Sequence, residues 1–200
     1  MLACATPRSG EVAAPWRDLL RGEFAAWESV PFGGEGAVEW RDDRLLLPTG
    51  SPLTGVRWPE GLGVETDYEL ELVALRRSGT DFFAGLTLPV AGERATVVLG
   101  GWGGALCGLS CLDGRDASSN ETKRFLGFEP GRAYRLRVRV EDRRLRAWLE
   151  GEPLFDVDAT GRALSLRTEV LPCAPLGLAS YATSAEVLEL RWRPLTRRGD

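Results

Sequence analysis

The side chains able to do chemistry gather in one polar run, Leu112-Asp113-Gly114-Arg115-Asp116-Ala117-Ser118-Ser119-Asn120-Glu121-Thr122-Lys123-Arg124. It holds three carboxylates together with the only asparagine and the only lysine of the 200 residues. Two carboxylates such as Asp116 and Glu121 are what a glycoside-processing site uses as acid and base, with burial setting their pKa values. Asp113, Asn120 and Arg124 add groups suited to bonding hydroxyls. Hard oxygen ligands this close in sequence also suggest calcium, although the spacing departs from that of an EF-hand loop. A plainer reading is a solvated loop in which Asn120 or Thr122 caps backbone groups. Asn120-Glu121-Thr122 also matches a glycosylation sequon, relevant only in a eukaryotic secretory protein.

A second group is Gly100-Gly101-Trp102-Gly103-Gly104. Four glycines free the backbone for positive φ and leave the indole without bulky neighbours. An indole presented this way suits the apolar face of a sugar ring; the alternative is a glycine-rich turn with Trp102 in the core. Asp81 opens a mostly apolar segment, as a turn former or as a carboxylate at a strand mouth.

What the chain lacks narrows the chemistry. It contains no histidine, glutamine or isoleucine, and every basic residue except Lys123 is arginine. Without imidazole there is no Ser–His or Cys–His nucleophile pair and no His-based zinc site. A net charge of −4, with arginines dispersed among carboxylates, argues against nucleic acid as a partner. No run of about 20 apolar residues is present to span a bilayer.

Cys107 and Cys111 would lie about 13 Å apart in an extended strand, too far for a disulfide, at roughly 3.3 Å per residue. Buried free thiols are the expected state, with a bridge from Cys173 to one of the pair left open. Met1-Leu2-Ala3-Cys4 resembles the end of a bacterial lipoprotein signal without its apolar region. Cys4 is then a candidate lipid anchor on a tether spanning residues 1–15, and the location extracytoplasmic. If the first residues are a true start, the location is cytoplasmic.

The elements that must position these groups are strands. Tyr68, Leu70, Leu72 and Ala74 alternate with Glu69 and Glu71, and Tyr134 to Val140 alternates with Arg135, Arg137 and Arg139. A short Glu141-Asp142-Arg143 connection to Arg144–Glu150 predicts a hairpin, with Arg135, Arg137, Arg139, Arg144, Arg146 and Trp148 as a solvated face. Further strands are expected at 24–29, 38–40, 45–47, 81–88, 95–99, 105–110, 154–157, 176–181 and 187–193, and one helical turn at 15–20. No helical pattern reaches 12 residues. Many short strands without a repeat predict an all-β, two-sheet sandwich over residues 16–195, with a short tail at 196–200.

Several blocks together resemble one bacterial family: Leu53-Thr54-Gly55-Val56, Ser78 to Thr87, Gly100 to Gly104, Gly108-Leu109-Ser110, Asp113 to Thr122, Gly131 to Val138, Ala147-Trp148-Leu149 and Pro175 to Ala179. The chain from about Phe24 to Leu195 is similar to the 3-keto-disaccharide hydrolase domain, in a branch common in planctomycete-type genomes. The resemblance implies a concanavalin A-like jelly-roll β-sandwich of two antiparallel sheets, exported, with a glycan or small saccharide as partner. Together with the residue reading, this gives a ligand near Trp102 and the 113–124 loop with Asp81 at the edge, and Asp116 or Glu121 as the expected proton carriers. The other reading is a non-catalytic structural or protein-interaction sandwich of the bacterial envelope.

Overall fold

Alternation along the strands becomes layering in space. A computed structural model describes residues 14–22 and 26–195. In chain order its strands are β1 (Arg17–Asp18), β2 (Glu28–Ser29), β3 (Glu39–Arg41), β4 (Arg44–Leu47), β5 (Leu53–Trp58), β6 (Tyr68–Gly79), β7 (Ala84–Val90), β8 (Glu93–Gly101), β9 (Leu106–Ser110), β10 (Arg124–Phe125), β11 (Ala133–Glu141), β12 (Arg144–Leu149), β13 (Glu152–Asp158), β14 (Leu176–Tyr181) and β15 (Thr183–Pro194). A 3-10 helix, Thr168–Cys173, precedes β14. One sheet runs β13-β12-β11-β6-β15-β4-β3, with β1 also on β15; the other runs β10-β9-β8-β7-β14-β5-β2. Neighbours distant in sequence, such as β6 between β11 and β15, give the jelly-roll arrangement. The expected all-β sandwich of two antiparallel sheets is the fold observed.

The core lies between the sheets. Leu72 faces Leu136 and Leu70 faces Val138 across β6 and β11. Against them pack Leu86 and Leu88 of β7, Val97 and Leu99 of β8, and Leu176 and Leu178 of β14, all buried. Each such side chain contributes about 1.5–3 kcal/mol on burial. On β15 the inward set is Ala185 and Val187, then Leu190, because the register shifts between Val187 and Glu189.

The outer face of the first sheet keeps its arginines partly exposed, as expected, but sets them over buried carboxylates. Glu69 is fully buried and Glu71 is nearly so. The register sets Glu69 beside Arg139 and Arg193, and Glu71 beside Arg137 and Arg191. Glu69 accepts hydrogen bonds from Arg137 Nε (3.1 Å) and Arg193 Nε (2.7 Å). Glu71 accepts from Arg191 Nε (2.9 Å) and pairs with Arg135. Trp16 lies 4.4 Å from the Arg193 guanidinium and Trp148 lies 5.6 Å from that of Arg137. Opposite charges facing each other on adjacent strands pair across the sheet instead of reaching separately for water. The helical turn expected at 15–20 is replaced: Arg17 and Asp18 pair with Trp192 and Arg191.

The second sheet is covered on both faces. Residues 159–175 form a strap across its outer side, pairing Leu164 with Leu112 before entering the 3-10 helix. β5 was not expected, since Leu53–Trp58 lacks strict alternation. β7 begins at Ala84, so Asp81 and Phe82 form a corner ahead of it. Cys107, Cys111 and Cys173 are free and buried. Cys4 lies outside the described residues, as does the first part of the strand expected at 24–29.

Candidate functional site

The glycine-rich turn between β8 and β9 is built by strain and held by two side chains. Gly100, Trp102, Gly103 and Gly104 all have positive φ, with Trp102 at +50°. For a residue carrying a Cβ this conformation costs roughly 1–2 kcal/mol. Asp81 offsets the cost: its carboxylate accepts the N–H groups of Trp102 and Gly103, each at 3.2 Å, and that of Phe82 at 2.8 Å. Asp81 is itself fixed, because its N–H donates to Thr183 Oγ1 (3.0 Å). From below, the buried Arg76 donates through Nη2 to the carbonyls of Asp81 (3.1 Å), Gly100 (3.2 Å) and Gly104 (3.0 Å). Gly100 has a φ of +73°, which disfavours any side chain, and a Cβ there would meet the Arg76 nitrogen at 2.5 Å and push it off its three carbonyls. The result is an indole that remains 41% exposed.

Trp102 flanks a cleft of about 210 Å³ on the outer side of the second sheet. Its floor comes from outward residues of β8 and β9, Thr96, Val98 and Ser110, and one side from Phe82 and Tyr181, whose rings lie 5.8 Å apart. The cleft is smaller than the roughly 300–1,000 Å³ that encloses a drug-sized ligand, so it suits one ring of a longer molecule.

The strap supplies the other wall through Arg167, Glu169 and Val170. Arg167 Nη1 donates to Asp116 Oδ2 (2.8 Å), and its Nε and Nη2 donate to Glu169 Oε1 (3.0 and 2.6 Å). Its guanidinium carbon lies 6.0 Å from the Trp102 ring. Asp116 and Glu169 also line a shallow depression next to the cleft. Burial opposes ionisation of Asp116, but bonds from the Ser118 amide and hydroxyl, the Ser119 hydroxyl and Arg167 outweigh it and hold its carboxyl below the usual range. The Arg167 bond lowers Glu169 in the same way.

The remaining sequence candidates lie apart from this wall. Glu121 pairs with Arg162, whose Nε also donates to Asp113 Oδ2 (2.8 Å). Arg162 lowers both carboxyls. Asp113 Oδ1 accepts the Ala163 N–H (3.0 Å), so this pair of acids anchors the strap. Asn120 is buried: its Nδ2 donates to the carbonyls of Leu109, Arg115 and Asp116, and its Oδ1 accepts from the N–H and hydroxyl of Thr122. Those bonds fold the loop, and the amide of the sequon faces inward. Arg124 is on the edge strand β10 and donates to the carbonyls of Lys123 (2.9 Å) and Glu121 (3.4 Å). Among the described residues, no three His, Cys, Asp or Glu side chains gather into a group able to hold a metal ion.

Of the sequence candidates, then, Asp81, Trp102 and Asp116 come together, while Asp113, Glu121, Asn120 and Arg124 do not join them. Sequence reasoning missed Arg167, Glu169, Phe82 and Tyr181. Arg167 reaches Asp116 across 51 residues of sequence, from a segment without periodicity. No local signal marked it.

No family model matches the chain, and no curated relative matches it. Solved structures do match. The carbohydrate-binding module CBM66 from Bacillus subtilis superposes with a TM-score of 0.56 at 12% identity, covering 84% of this chain and 95% of that one. Domain 4 of AbnA, a GH43 extracellular arabinanase from Geobacillus stearothermophilus in complex with arabinotriose, gives 0.55 at 15%, covering 93% and 94%. The exoplasmic/lumenal domain of VIP36, in a Ca2+/Man3GlcNAc-bound form, gives 0.59 at 11%, covering 92% and 89%. At these identities the likeness defines the class by fold: a jelly-roll β-sandwich.

Proposed function

We propose that this sandwich binds carbohydrate, seating a sugar ring against Trp102 in the cleft of the second sheet. The observation that carries the reading is an indole kept exposed at a strained φ by Asp81 and Arg76. Strain held in place by surrounding bonds marks functional positions, and an aromatic face beside carboxylate acceptors suits a ring with apolar faces and hydroxyl edges. Similar folds in a carbohydrate-binding module and in an arabinanase domain solved with arabinotriose support it. Trp102, Asp81 and Asp116, with Arg167 and Glu169, form the site in this reading.

The resemblance to 3-keto-disaccharide hydrolases extends the reading to glycan processing, with Asp116 or Glu121 moving a proton. A glycosidase acid needs a raised pKa, and both carboxyls are lowered. Binding is therefore the function placed first. Turnover of 3-keto-glycosides by the wild type, lost in Asp116→Ala or Glu121→Ala, would establish the catalytic version; no turnover leaves a binding module. An extracytoplasmic location with a lipid on Cys4 belongs to the same reading. Fatty-acid labelling that persists in Cys4→Ser would contradict it.

One observation favours a purely structural sandwich: Asp116 and Glu121 are both paired with arginines. Glycan-array and calorimetric binding of wild type against Trp102→Ala separates the two. Carbohydrate reading expects binding that falls at least tenfold in the variant; no binding to any glycan supports the structural one.

A further inference from the structure

We infer that the Trp102 cleft takes neutral, hydroxyl-rich sugars and turns away uronates and sulfated glycans, an inference that rests on the carbohydrate reading of the same cleft. The ionised groups around the cleft are mostly carboxylates; Asp81 and Asp116 are bonded within the protein, while both Arg167 bonds to Glu169 fall on Oε1. Asp81 and Glu169 line the cleft, and Asp116 lines the depression beside it. Thr96 and Ser110 on the floor carry hydroxyls. Sugar hydroxyls donate to carboxylates in short, charge-assisted bonds. A ligand carboxylate or sulfate brings only acceptors and like charge to the same wall.

Arg167 is the one cation lining either depression among the described residues, and it is already engaged. Its Nη1 bonds Asp116, and its Nε and Nη2 both bond Glu169. An arginine that recognises an anion presents its paired donors to the ligand; here the fork closes on Glu169. Asp81, Glu169 and Asp116 outnumber Arg167 and the buried Arg76, which lies beneath Asp81, so the wall keeps a net negative charge. Arg167 orients the acceptors and approaches the Trp102 ring; it does not present itself to an anion. Asp116 and Glu169 are thus specificity residues that keep an anion site closed.

Charge removal tests this. Calorimetric affinities are measured for arabinotriose, cellotetraose and mannotriose against tetragalacturonate and a heparin tetrasaccharide, in wild type and in Asp116→Asn/Glu169→Gln. Wild type is expected to bind at least one neutral probe tenfold or more tighter than either anionic probe. The double variant, with Arg167 released, is expected to gain at least tenfold for tetragalacturonate, a gain that shrinks as salt rises. Should the double variant not fold, Glu169→Gln alone, at a half-exposed position, is read the same way with a smaller expected gain. Anionic probes that bind wild type as tightly as neutral ones, or variants that gain nothing for anions, overturn the inference and leave the carbohydrate reading standing. No binding of either class overturns both.

Discussion

The Asp81 carboxylate, on the corner leading into β7, accepts the backbone N–H of Trp102 from the turn between β8 and β9 at 3.2 Å. A carboxylate acceptor placed this way fixes the backbone of Trp102 and leaves its side chain free, so the bond couples the crossover from β6 to β7 to the presentation of an indole in the turn between β8 and β9. Arg76 braces the same turn from within the sandwich. The pair explains why a residue other than glycine tolerates positive φ there.

Removing either support should disturb Trp102 first. Asp81→Ala leaves the N–H groups of Phe82, Trp102 and Gly103 without their carboxylate acceptor at a partly exposed turn, a loss of roughly 1–3 kcal/mol. Arg76→Met removes a buried donor shared by three carbonyls and is expected to cost roughly 1–3 kcal/mol. Urea midpoints measure the stability, and acrylamide quenching against a Trp102→Phe background isolates the indole. Unchanged quenching in both variants would contradict the coupling.

Glu69 should be far more sensitive than its exposed counterparts. It is fully buried among Arg137, Arg139 and Arg193. Breaking a buried pair by removing one partner costs about 3–5 kcal/mol, so Glu69→Gln should unfold at markedly lower urea. Asp156→Asn, which breaks the exposed pair with Arg144, should cost no more than about 1 kcal/mol. Equal midpoints for the two variants would refute the buried lattice.

That lattice also marks where sequence reading ran out. Alternation along β6 and β11 gave the sheet and its inward face, because apolar burial follows a period of two. It could not reveal that β15 lies on the far side of β6 and brings Arg191 and Arg193 over Glu71 and Glu69. The site divides in the same way. Trp102 and Asp81 were legible because glycines and an acid at a strand mouth are local signals. Arg167 and Glu169 were not, since only the strap crossing the second sheet brings them to Asp116. Asn120 stood out as a lone amide, and its isolation reflects a loop-folding job whose partners Leu109 and Thr122 lie on either side in sequence.

Acid should loosen the strap. The carboxyls of Asp116, Glu121 and Glu169 lie below their usual values in the folded chain. A depressed folded pKa means stability that is present above the unfolded value, about 3.9 for Asp and 4.3 for Glu, and lost as pH falls through the folded one. Thermal midpoints are expected to be flat from pH 6 to 5 and to drop below about pH 4. The drop should be shallower in Asp116→Asn/Glu169→Gln, and an equally steep one would assign the acid lability elsewhere.

The buried thiols should be inert. Burial pushes Cys107 up to about 11 and Cys173 up to about 12, and the thiolate is the reactive form. Iodoacetamide at pH 8 should leave both unlabelled in the folded chain and label both in denaturant, read by peptide mass. Labelling of Cys173 in the folded chain would show that the strap opens.

The central claim is that ligand meets the outer face of the second sheet at Trp102, and the indole N–H signals report it directly. A neutral oligosaccharide that binds is titrated into 15N-labelled protein, with the Trp102 signal assigned through Trp102→Phe. Trp102 is expected to shift most, while Trp16 and Trp148, on the outer face of the other sheet, stay in place. A shift at Trp16 or Trp148 with Trp102 unmoved would contradict the account.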